Sequence, residues 1–392
     1  MSLDFELSEE HQLVEKAVRD AMAPWVERRA ELRAMTKRAE LPEELWQTFA
    51  EIGLIGCLIP EEYGGNGMGL LAQSLGFESV TAVGLSPNVL LVNCMDAACI
   101  AKVGSEELKQ RYLPGIADGS HRFCFAITES EAGSNAFAMK SYAERRGDRF
   151  VLNGSKVYIS GFDVSKYMLL VARTTKADEK AGHRGLTLFV VPTDSPGITS
   201  QLIPVSFAEG VNQYALYFDD VEIPAENVVG EVDGGAVAMF LSLNPERILA
   251  AAMCSGISEY CINAAVSYAK DRKVFGDAPI GSYQGIAHPL AECKTHHEAA
   301  RLLMLKASWA FDAGWDASRV GTLANMCKLL NADSALRSAD VCIETHGGNG
   351  FTEEYGFLDM YNGARLLKTA PVSREMILNF VSEWDLGLPR SY

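Results

Sequence analysis

A block of short alternating segments, residues 121–232, lies between two long helical stretches and constrains the fold of this chain more than any other feature. Within the block, bulky apolar positions alternate with polar ones over residues 149–152, 156–160, 167–172, 186–191, 198–203 and 214–223. Turn-forming residues separate these runs, at Asn153-Gly154, Pro196-Gly197 and Pro224, and no helical pattern intervenes. This spacing predicts antiparallel strands that form a small barrel or sandwich.

Helices are predicted on both sides of the block. In residues 1–120, Ser8 begins an amphipathic run that extends to about residue 31, and Pro42 opens a second helix. A largely apolar helix, buried on every side, is predicted next, and a short helix follows it; they cover about 86–102 and 104–115. In the last part of the chain, the apolar periodicity predicts helices over 234–271, 284–312, 316–345 and 365–383.

Together these patterns predict an α+β fold built from three consecutive domains. An N-terminal helical domain covers residues 1–120, a middle antiparallel β-barrel or sandwich domain covers 121–232, and a C-terminal four-helix bundle covers 233–392. A chain of 392 residues is long enough for two or three domains with a sizeable core. Because the last helices are long, we expect the bundle to pack against other subunits as well.

Charge and cysteine usage exclude several classes of function. The net charge of −16 argues against nucleic acid or an anionic membrane as the main partner. The nine cysteines form no Cys-x-x-Cys pair and lie mostly in apolar runs, which is typical of reduced core thiols in an intracellular protein. The seven histidines show no metal-ligand spacing, no leader pattern is evident, and no apolar run reaches the ~20 residues that span a bilayer. We expect a soluble, cytoplasmic, metal-free protein.

The start of the β-rich block carries a pattern that suits a ligand. Residues 123–128 read as a strand, with Phe125 and Ile127 among its bulky positions, and the chain then enters a loop of small residues at Gly133 and Ser134. A backbone that leaves a strand through such residues presents N–H groups and hydroxyls, which suit a phosphate or a flat heteroaromatic ring. A tight surface turn after an edge strand is an equally good interpretation of these residues alone.

Four motifs in this order resemble the acyl-CoA dehydrogenase family of flavoproteins, and the resemblance extends over essentially the whole chain. They are Phe125-Ala126-Ile127-Thr128-Glu129 leading to Gly133-Ser134, then Gly154-Ser155-Lys156-Val157-Tyr158-Ile159-Ser160-Gly161, then Arg272-Lys273-Val274-Phe275-Gly276 with Ile280 and Gln284, and His346-Gly347-Gly348-Asn349-Gly350-Phe351. The last two are specific at this spacing. The resemblance implies FAD as the cofactor and an acyl-CoA as the substrate.

The resemblance also assigns roles to individual residues. Thr128 would bond the pyrimidine side of the flavin, Ser134 would lie near the diphosphate and the acyl-CoA, Tyr158 would lie beside the ring, and Ser160 would bond flavin N5. A neutral hydroxyl at N5 can tune hydride acceptance without adding a charge. The implied cofactor-binding set is Phe125, Ile127, Thr128, Ser134, Tyr158, Ser160, Arg272, Phe275, Gln284, Glu344, Gly347, Gly348, Ser373 and Glu375. The implied substrate-binding residues are Ser134 and Arg247.

Some of these residues are expected to serve a neighbouring subunit. Arg272 would pair with the diphosphate of the neighbour's FAD, with Phe275 and Gln284 beside it, and Gly347-Gly348 would let the backbone approach the same dinucleotide. Simpler interpretations stay open for the individual residues. Tyr158 could be core, Gln284 an ordinary residue at a helix start, and the two glycines a helix stop.

The catalytic base is where the sequence departs from the common family pattern. The family reaction removes a proton from Cα with a carboxylate while a hydride leaves Cβ for flavin N5. The usual Glu position is occupied here by Pro371, which cannot accept a proton. A minority branch, with the isovaleryl-CoA and long-chain enzymes, carries its base on a helix directly before an Arg, and this matches Glu246-Arg247. We expect Glu246 to be the base, with Pro245 bending the helix toward the cleft.

Three alternatives accompany this assignment. Glu246 and Arg247 could be surface charges at a kink, and Glu353, Glu354 or Glu375 could be the base instead, although salt-bridge or FAD-ribose roles suit them better. The family also uses the backbone N–H at the usual Glu position to hold the thioester oxygen, and Pro371 has none. Either the alignment shifts by one residue there or that contact differs.

The partners implied by the resemblance are an acyl-CoA and an electron-transfer flavoprotein. A homotetramer is expected, and a dimer is the least that a shared FAD site requires. Two other functions remain open: a reductase, oxidase or monooxygenase of the same fold, and a catalytically inactive flavin-binding homologue. Glu246 argues against a monooxygenase, which needs no α-proton base, and Pro371 is the main support for the inactive homologue.

Overall fold

The computed structural model of the chain describes residues 6–176, 184–206 and 210–390. Helices come first and last, with strands between them, as the sequence predicts. The helices before the strands are α1 (Glu9–Glu27), α2 (Arg29–Lys37), α3 (Glu43–Glu51), α4 (Gly69–Ala82), α5 (Asn88–Val103) and α6 (Glu106–Ala117). Those after the strands are α7 (Gly235–Asp271), α8 (Gln284–Asp312), α9 (Ala317–His346), α10 (Phe357–Thr369) and α11 (Arg374–Phe380).

The strands form one sheet around an apolar core. They are β1 (Phe123–Ala126), β2 (Tyr142–Arg146), β3 (Arg149–Ser160), β4 (Tyr167–Arg173), β5 (Leu186–Pro192), β6 (Ile198–Ile203), β7 (Gln213–Pro224) and β8 (Val228–Val229). The order across the sheet is β6-β7-β3-β2-β4-β5-β8, and β1 pairs with β4. Phe150, Leu170 and Phe189 are among the fully buried side chains that fill the core beneath it.

Two pairings in this sheet correct the prediction of purely antiparallel strands. Strand β1 runs parallel to β4, and β2 also meets β4 in parallel. Alternating apolar residues identify a strand but carry no information about its direction. Strand β2 itself is absent from the sequence interpretation because only Ala143 of its five residues is buried, which leaves almost no alternation to detect.

The chain divides into two compact units, each with its own core. One comprises the described parts of Met1–Ala34, Met68–Pro87 and Arg247–Tyr392, and it contains α1, α4, α8, α9, α10, α11 and most of α7. The other comprises Met35–Gly67 and Asn88–Glu246, with α3, α5, α6, all the strands and the start of α7. The three consecutive domains suggested by the sequence stay a prediction.

Helix α4 lies at the centre of the first unit and was missed by sequence reasoning. Two backbone N–H groups of its first turn, those of Leu70 and Leu71, donate to the Asp312 carboxylate at 2.7 and 2.8 Å. Gly256 of α7 packs so closely against α4 that a Cβ there would lie 2.0 Å from Thr81 Oγ1. Thirteen of its fourteen residues are buried. A helix that is buried on all sides has no polar face, so it shows none of the periodicity used to predict helices.

The C-terminal region differs from the prediction at one point. The helix predicted over 365–383 is in fact the end of α10 followed by the separate helix α11, with Pro371 between them. Proline lacks the N–H that would continue the helix, and Ser373 caps the next helix by accepting a hydrogen bond from Met376 N at 3.3 Å. Similarly, the first predicted helix is divided into α1 and α2 at Arg28.

Two further findings bear on the class of protein. All nine cysteines are free and buried, as predicted for core thiols. Helix α7 is long and apolar enough to cross a membrane by length and composition, but 78% of its most apolar window is buried inside the protein, as in a core helix. In the three described stretches of the chain, no group of three or more His, Cys, Asp and Glu residues could hold a metal ion.

Candidate functional site

The loop after β1 is fastened at its base by a buried ion pair. Lys156 of β3 is fully buried, and its Nζ donates to Glu129 Oε1 at 2.9 Å and to the carbonyl of Ile127 at 2.8 Å. Glu129 also accepts hydrogen bonds from the backbone N–H groups of Lys140, at 2.6 Å, and Ser141, at 3.0 Å. Both ends of the loop are therefore tied to one carboxylate.

The electrostatics of this pair follow from its burial. Loss of hydration lowers the pKa of Lys156 to about 8, although the Glu129 carboxylate opposes that shift. Burial also acts to raise the pKa of Glu129, but Lys156 and the backbone donors outweigh it, so the pKa of Glu129 lies below its ordinary value. We infer that Lys156 and Glu129 form an ion pair at neutral pH, because the ammonium group and both carboxylate oxygens have hydrogen-bond partners.

A second buried cation holds the far side of the same loop. Arg173 of β4 donates from Nε to the carbonyl of Met139 at 2.8 Å, from Nη1 to that of Arg184 at 3.1 Å, and from Nη2 to that of Phe137. The side chain of Ser134 is exposed between these anchors. The structure thus presents a firmly held loop with an accessible serine at its tip.

The next two candidate residues lie on β3, where the strand departs from regular geometry. The carbonyl of Thr128 accepts from Val157 N at 2.9 Å, which joins the end of β1 to β3. Tyr158 has φ +58° and its side chain is 63% exposed, beside a shift in the register between β3 and β7. A bulky residue rarely adopts positive φ without a reason. The interpretation of Tyr158 as plain core is therefore wrong.

Ser160, at the end of β3, is oriented by a residue that sequence reasoning missed. Gln213, its register partner on β7, is buried and donates from Nε2 to Ser160 Oγ at 2.7 Å. Because the serine oxygen accepts that bond, its own proton stays available for another acceptor. The hydroxyl is therefore set to act as a donor. Gln213 gave no sequence signal, since one polar residue at the start of a strand is unremarkable.

Glu246 lies near the start of α7 and is half-buried. Ala238, Ser242 and Glu246 follow each other at intervals of four and therefore share one face of the helix. The first two contact α5: the carbonyl of Ala238 lies 3.7 Å from Cys99 Sγ, and Ser242 Oγ donates to the carbonyl of Met95 at 3.2 Å. Glu246 thus continues a face that packs inward, which disfavours the interpretation as a surface charge. Helix α7 is continuous through Pro245.

In the other unit, the residues expected at a neighbour's cofactor are exposed. Phe275 has φ +53° and is 99% exposed, so it packs against almost nothing in its own chain. The Arg272 side chain is exposed and makes no ion pair with any residue that the structure describes. Gln284 is exposed at the first position of α8. An aromatic ring and a cation held on the surface in this way are suited to contact something outside the chain.

The glycine pair follows α9. Gly347 ends the helix with φ +58°, which only glycine adopts readily, so a helix stop accounts for it. Gly348 has no such backbone requirement, and a Cβ there would meet no atom of the described residues within 4 Å. Packing within the described chain therefore does not require a glycine here, and the bare backbone is open to a close approach from outside. Glu344 is exposed in the last turn of α9.

The segment at the usual base position is also fastened by a buried lysine. Lys328 of α9 donates to the carbonyls of Lys368, at 3.2 Å, and Val372, at 2.7 Å, on either side of Pro371. Proline offers neither a carboxylate nor an N–H here. Glu375 is exposed in the first turn of α11, with Arg374 Nη1 at 3.7 Å.

The three alternative bases share a property that disfavours them. Glu353, Glu354 and Glu375 are all exposed, so none lies in the partly desolvated setting that suits a general base for a weakly acidic proton. Arg247, predicted to contact substrate, is half-buried and begins the last of the three segments that form its unit.

Several polar residues that support the candidate site gave little signal in the sequence. They are Glu129, Lys156, Arg173, Gln213 and Lys328, all buried. Lys156 offered the clearest hint, because it occupies an inward position of an alternating strand, where a charge requires a partner.

Comparison with known proteins gives consistent matches along the whole chain. Residues 8–120, 124–221 and 233–384 match, respectively, the N-terminal, middle and C-terminal domain families of acyl-CoA dehydrogenase. The acyl-CoA dehydrogenase FadE12 of Mycobacterium tuberculosis is 42% identical over 98% of both chains. Among solved structures, butyryl-CoA dehydrogenase of Megasphaera elsdenii matches with TM-score 0.90 and 27% identity, over 98% of this chain and 100% of that one. A glutaryl-CoA dehydrogenase of Mycobacterium smegmatis in complex with FADH2 matches with TM-score 0.88 and 26% identity, over 98% and 96%.

Proposed function

Because the chain belongs to the acyl-CoA dehydrogenase family and is an FAD-dependent oxidoreductase of that family, we propose that it dehydrogenates an acyl-CoA thioester between Cα and Cβ. The product would be the trans-2-enoyl-CoA. The proton would leave Cα and the hydride would leave Cβ, so that the two hydrogens and one electron pair lost by the thioester are accounted for. An electron-transfer flavoprotein is the proposed electron acceptor.

The observation that carries this proposal is the position of Glu246. A thioester α-proton is a weak acid, and a carboxylate removes it efficiently only where partial burial raises the pKa of that carboxylate. Glu246 is half-buried on the inward face of α7, whereas Glu353 and Glu375 are exposed. Pro371 cannot serve. In this proposal Glu246 takes the Cα proton.

The residues present fit FAD. In one unit, Thr128, Ser134 and Ser160 offer hydrogen-bonding groups on a firmly held loop and strand end, and the Tyr158 ring is exposed beside them. When bound, FAD supplies the acceptor for the hydride that leaves Cβ. Gln213 fixes the Ser160 hydroxyl as a donor, and the Lys156–Glu129 pair keeps the loop at one position.

The exposed residues of the other unit support a shared cofactor site in an oligomer. Arg272, Phe275 and Gly348 would contact the FAD of a neighbouring subunit, since no contact among the described residues accounts for an exposed ring at positive φ or for a glycine in open space. A homotetramer in the cytoplasm is the proposed assembly and location. The thioester oxygen would be held by a donor other than residue 371, which has no N–H.

The test is an anaerobic titration of the purified holoenzyme with a panel of acyl-CoAs, followed by flavin absorbance. We expect wild type to lose its flavin absorbance with its substrate and Glu246→Gln to lose at least 100-fold in the rate of that change, while FAD stays bound. Glu353→Gln, an exposed carboxylate, is the matched control and should behave as wild type. Equal bleaching in wild type and Glu246→Gln would reject Glu246 as the base. No bleaching with any thioester would favour a reductase or an inactive homologue.

A further inference from the structure

Helix α5 is buried, yet it carries a carboxyl group that nothing in the described chain satisfies. Asp96 is 0% exposed, and neither of its carboxyl oxygens has a hydrogen-bond partner among the described residues. One turn earlier, Asn93 is also 0% exposed: its Oδ1 accepts from Phe123 N at 2.8 Å, but its Nδ2 has no partner there either. Buried polar groups without partners are rare and costly, so each requires an explanation.

Their surroundings place these two side chains close to the proposed base. The segment of α5 that carries Asp96 packs on the start of α7 through the contacts of Met95 with Ser242 and of Cys99 with Ala238. Glu246 continues the same face of α7, and its charge acts on Asp96. On the other side, Asn93 bonds the first residue of β1. All of these residues belong to one compact unit.

The protonation state of Asp96 follows from this environment. Burial first, and the nearby charge of Glu246 second, raise the pKa of Asp96 well above its ordinary value. The other groups that sense Asp96 are the buried thiols Cys94, Cys99 and Cys124, which are neutral because burial raises their pKa values too. Because burial raises its pKa and no hydrogen-bond donor in the described chain stabilises its carboxylate, Asp96 is favoured in its neutral, protonated form. It offers one O–H donor and a carbonyl acceptor, and Asn93 adds an N–H donor.

We propose that Asp96 and Asn93 bind an oxygen atom carried by the acyl chain, so that the preferred substrates are acyl-CoAs with a hydroxyl or keto group rather than plain saturated chains. This inference rests on the proposed function, because it takes Glu246 as the base that acts on the same acyl group. A hydroxyl or keto oxygen accepts from the Asp96 O–H and the Asn93 amide, and a hydroxyl can also donate to the second Asp96 oxygen. A plain alkyl chain would leave all of these groups unpaired.

The size of the expected preference follows from the difference between a chain that pairs with these buried groups and one that leaves them unpaired. A site whose buried groups need a substrate oxygen penalises the analogue that lacks it more than an apolar pocket penalises an extra hydroxyl. We therefore expect an oxygen-bearing chain to bind on the order of 10- to 100-fold more tightly than the plain chain of equal length. If Asp96 had a purely structural role, we would expect no such preference. A structural role is also disfavoured because an apolar residue of similar size would fill position 96 at lower free energy.

The test measures affinity without turnover. Hexyl-CoA thioether and its counterparts with a hydroxyl at C4, C5 or C6 of the chain lack the thioester carbonyl, so the holoenzyme binds them without reacting. Calorimetric titration should show that wild type binds at least one hydroxylated thioether about 10-fold or more tightly than hexyl-CoA. In Asp96→Leu this preference should disappear, with plain hexyl-CoA binding more tightly than in wild type. Asp194→Leu, the same change at an exposed aspartate of the same unit, should keep the wild-type preference.

Two outcomes would overturn the inference. One is that wild type binds no hydroxylated thioether more tightly than hexyl-CoA. This outcome is measured on wild type alone, so it does not depend on whether a variant folds. The other is a preference that persists in both Asp96→Leu and Asn93→Ala. Flavin bleaching by the matching thioesters separates this result from the proposed function. If plain chains bleach the flavin as well as hydroxylated ones, only the inference fails. If no thioester bleaches it, the proposed function fails whatever the thioether affinities show.

Discussion

Two buried polar groups in the same unit of this protein contrast sharply. Around Lys156 and Glu129, every charge has a partner: the ammonium has a carboxylate and a carbonyl, and the carboxylate has two further backbone donors. Around Asp96, neither carboxyl oxygen is bonded within the described chain. Both places are buried, with Glu129 8% exposed and Lys156 and Asp96 0% exposed, so burial alone does not distinguish a structural polar group from one proposed to bind a ligand. The two groups differ in how completely their hydrogen bonds are made.

The largest loss of unfolding free energy should come from breaking the Lys156–Glu129 ion pair, whose charges all have partners. Lys156→Met leaves Glu129 buried without its counter-charge, and removal of one partner of a buried pair costs about 3–5 kcal/mol of unfolding free energy. We also expect loss of FAD, because the loop that carries Ser134 is no longer held. Chemical denaturation and the flavin content of the purified protein measure both. Lys140→Met, which removes the exposed partner of Glu131, is the control and should cost less than about 1 kcal/mol. A loss below that level in Lys156→Met would contradict the account.

A second prediction concerns the acid stability of the same group. The pKa of Glu129 is lower in the folded protein than its ordinary value of 4.5, so below that value the unfolded chain binds more protons than the folded one. The stabilisation is therefore present above about pH 4.5 and is lost as the pH falls through the folded pKa. The difference in unfolding free energy between wild type and Glu129→Gln should be largest at pH 7 and should narrow toward pH 3. A difference that is independent of pH would show that Glu129 is not ionised in the fold.

Substitution of Asp96, the group without hydrogen-bond partners in the described chain, should change the unfolding free energy in the opposite direction from Lys156→Met and by a smaller amount. Asp96→Leu replaces a neutral, unpaired acid by an apolar side chain of similar size, which relieves an unmet hydrogen-bonding requirement. We expect the unfolding free energy to be unchanged or to rise by about 1 kcal/mol. Asp194→Leu should change it little, since that side chain is exposed. A loss of 3 kcal/mol or more in Asp96→Leu would mean that Asp96 has a structural partner and would remove the contrast.

The sequence predicts the architecture well where a residue pattern reports directly on burial. Helix α8 begins and ends where the periodicity predicts, and Pro42 caps α3 as expected. Prediction fails for two elements that show no contrast between buried and exposed positions. Helix α4 has no polar face and β2 has one buried residue, so neither leaves a period to detect.

The sequence also predicts some residues of the candidate site and misses others. The motifs identify residues that would contact the cofactor, because their spacing is specific. They do not identify Gln213, which orients Ser160, or Lys328, which fastens the Pro371 segment, because a partner distant in sequence leaves no local signal. Asp96 is visible in the sequence as one acid in an apolar helix. Only the structure shows that it has no partner in the described chain and that it lies near Glu246.

The most direct test of the central claim follows the proton that Glu246 is proposed to remove. The holoenzyme and its substrate thioester would be incubated anaerobically in deuterium oxide, and incorporation of deuterium at Cα would be followed by mass spectrometry. The account predicts that wild type catalyses this exchange and that Glu246→Gln, with FAD still bound, loses it by at least 100-fold. Exchange at the wild-type rate in Glu246→Gln would contradict the account, because another group would then remove the Cα proton.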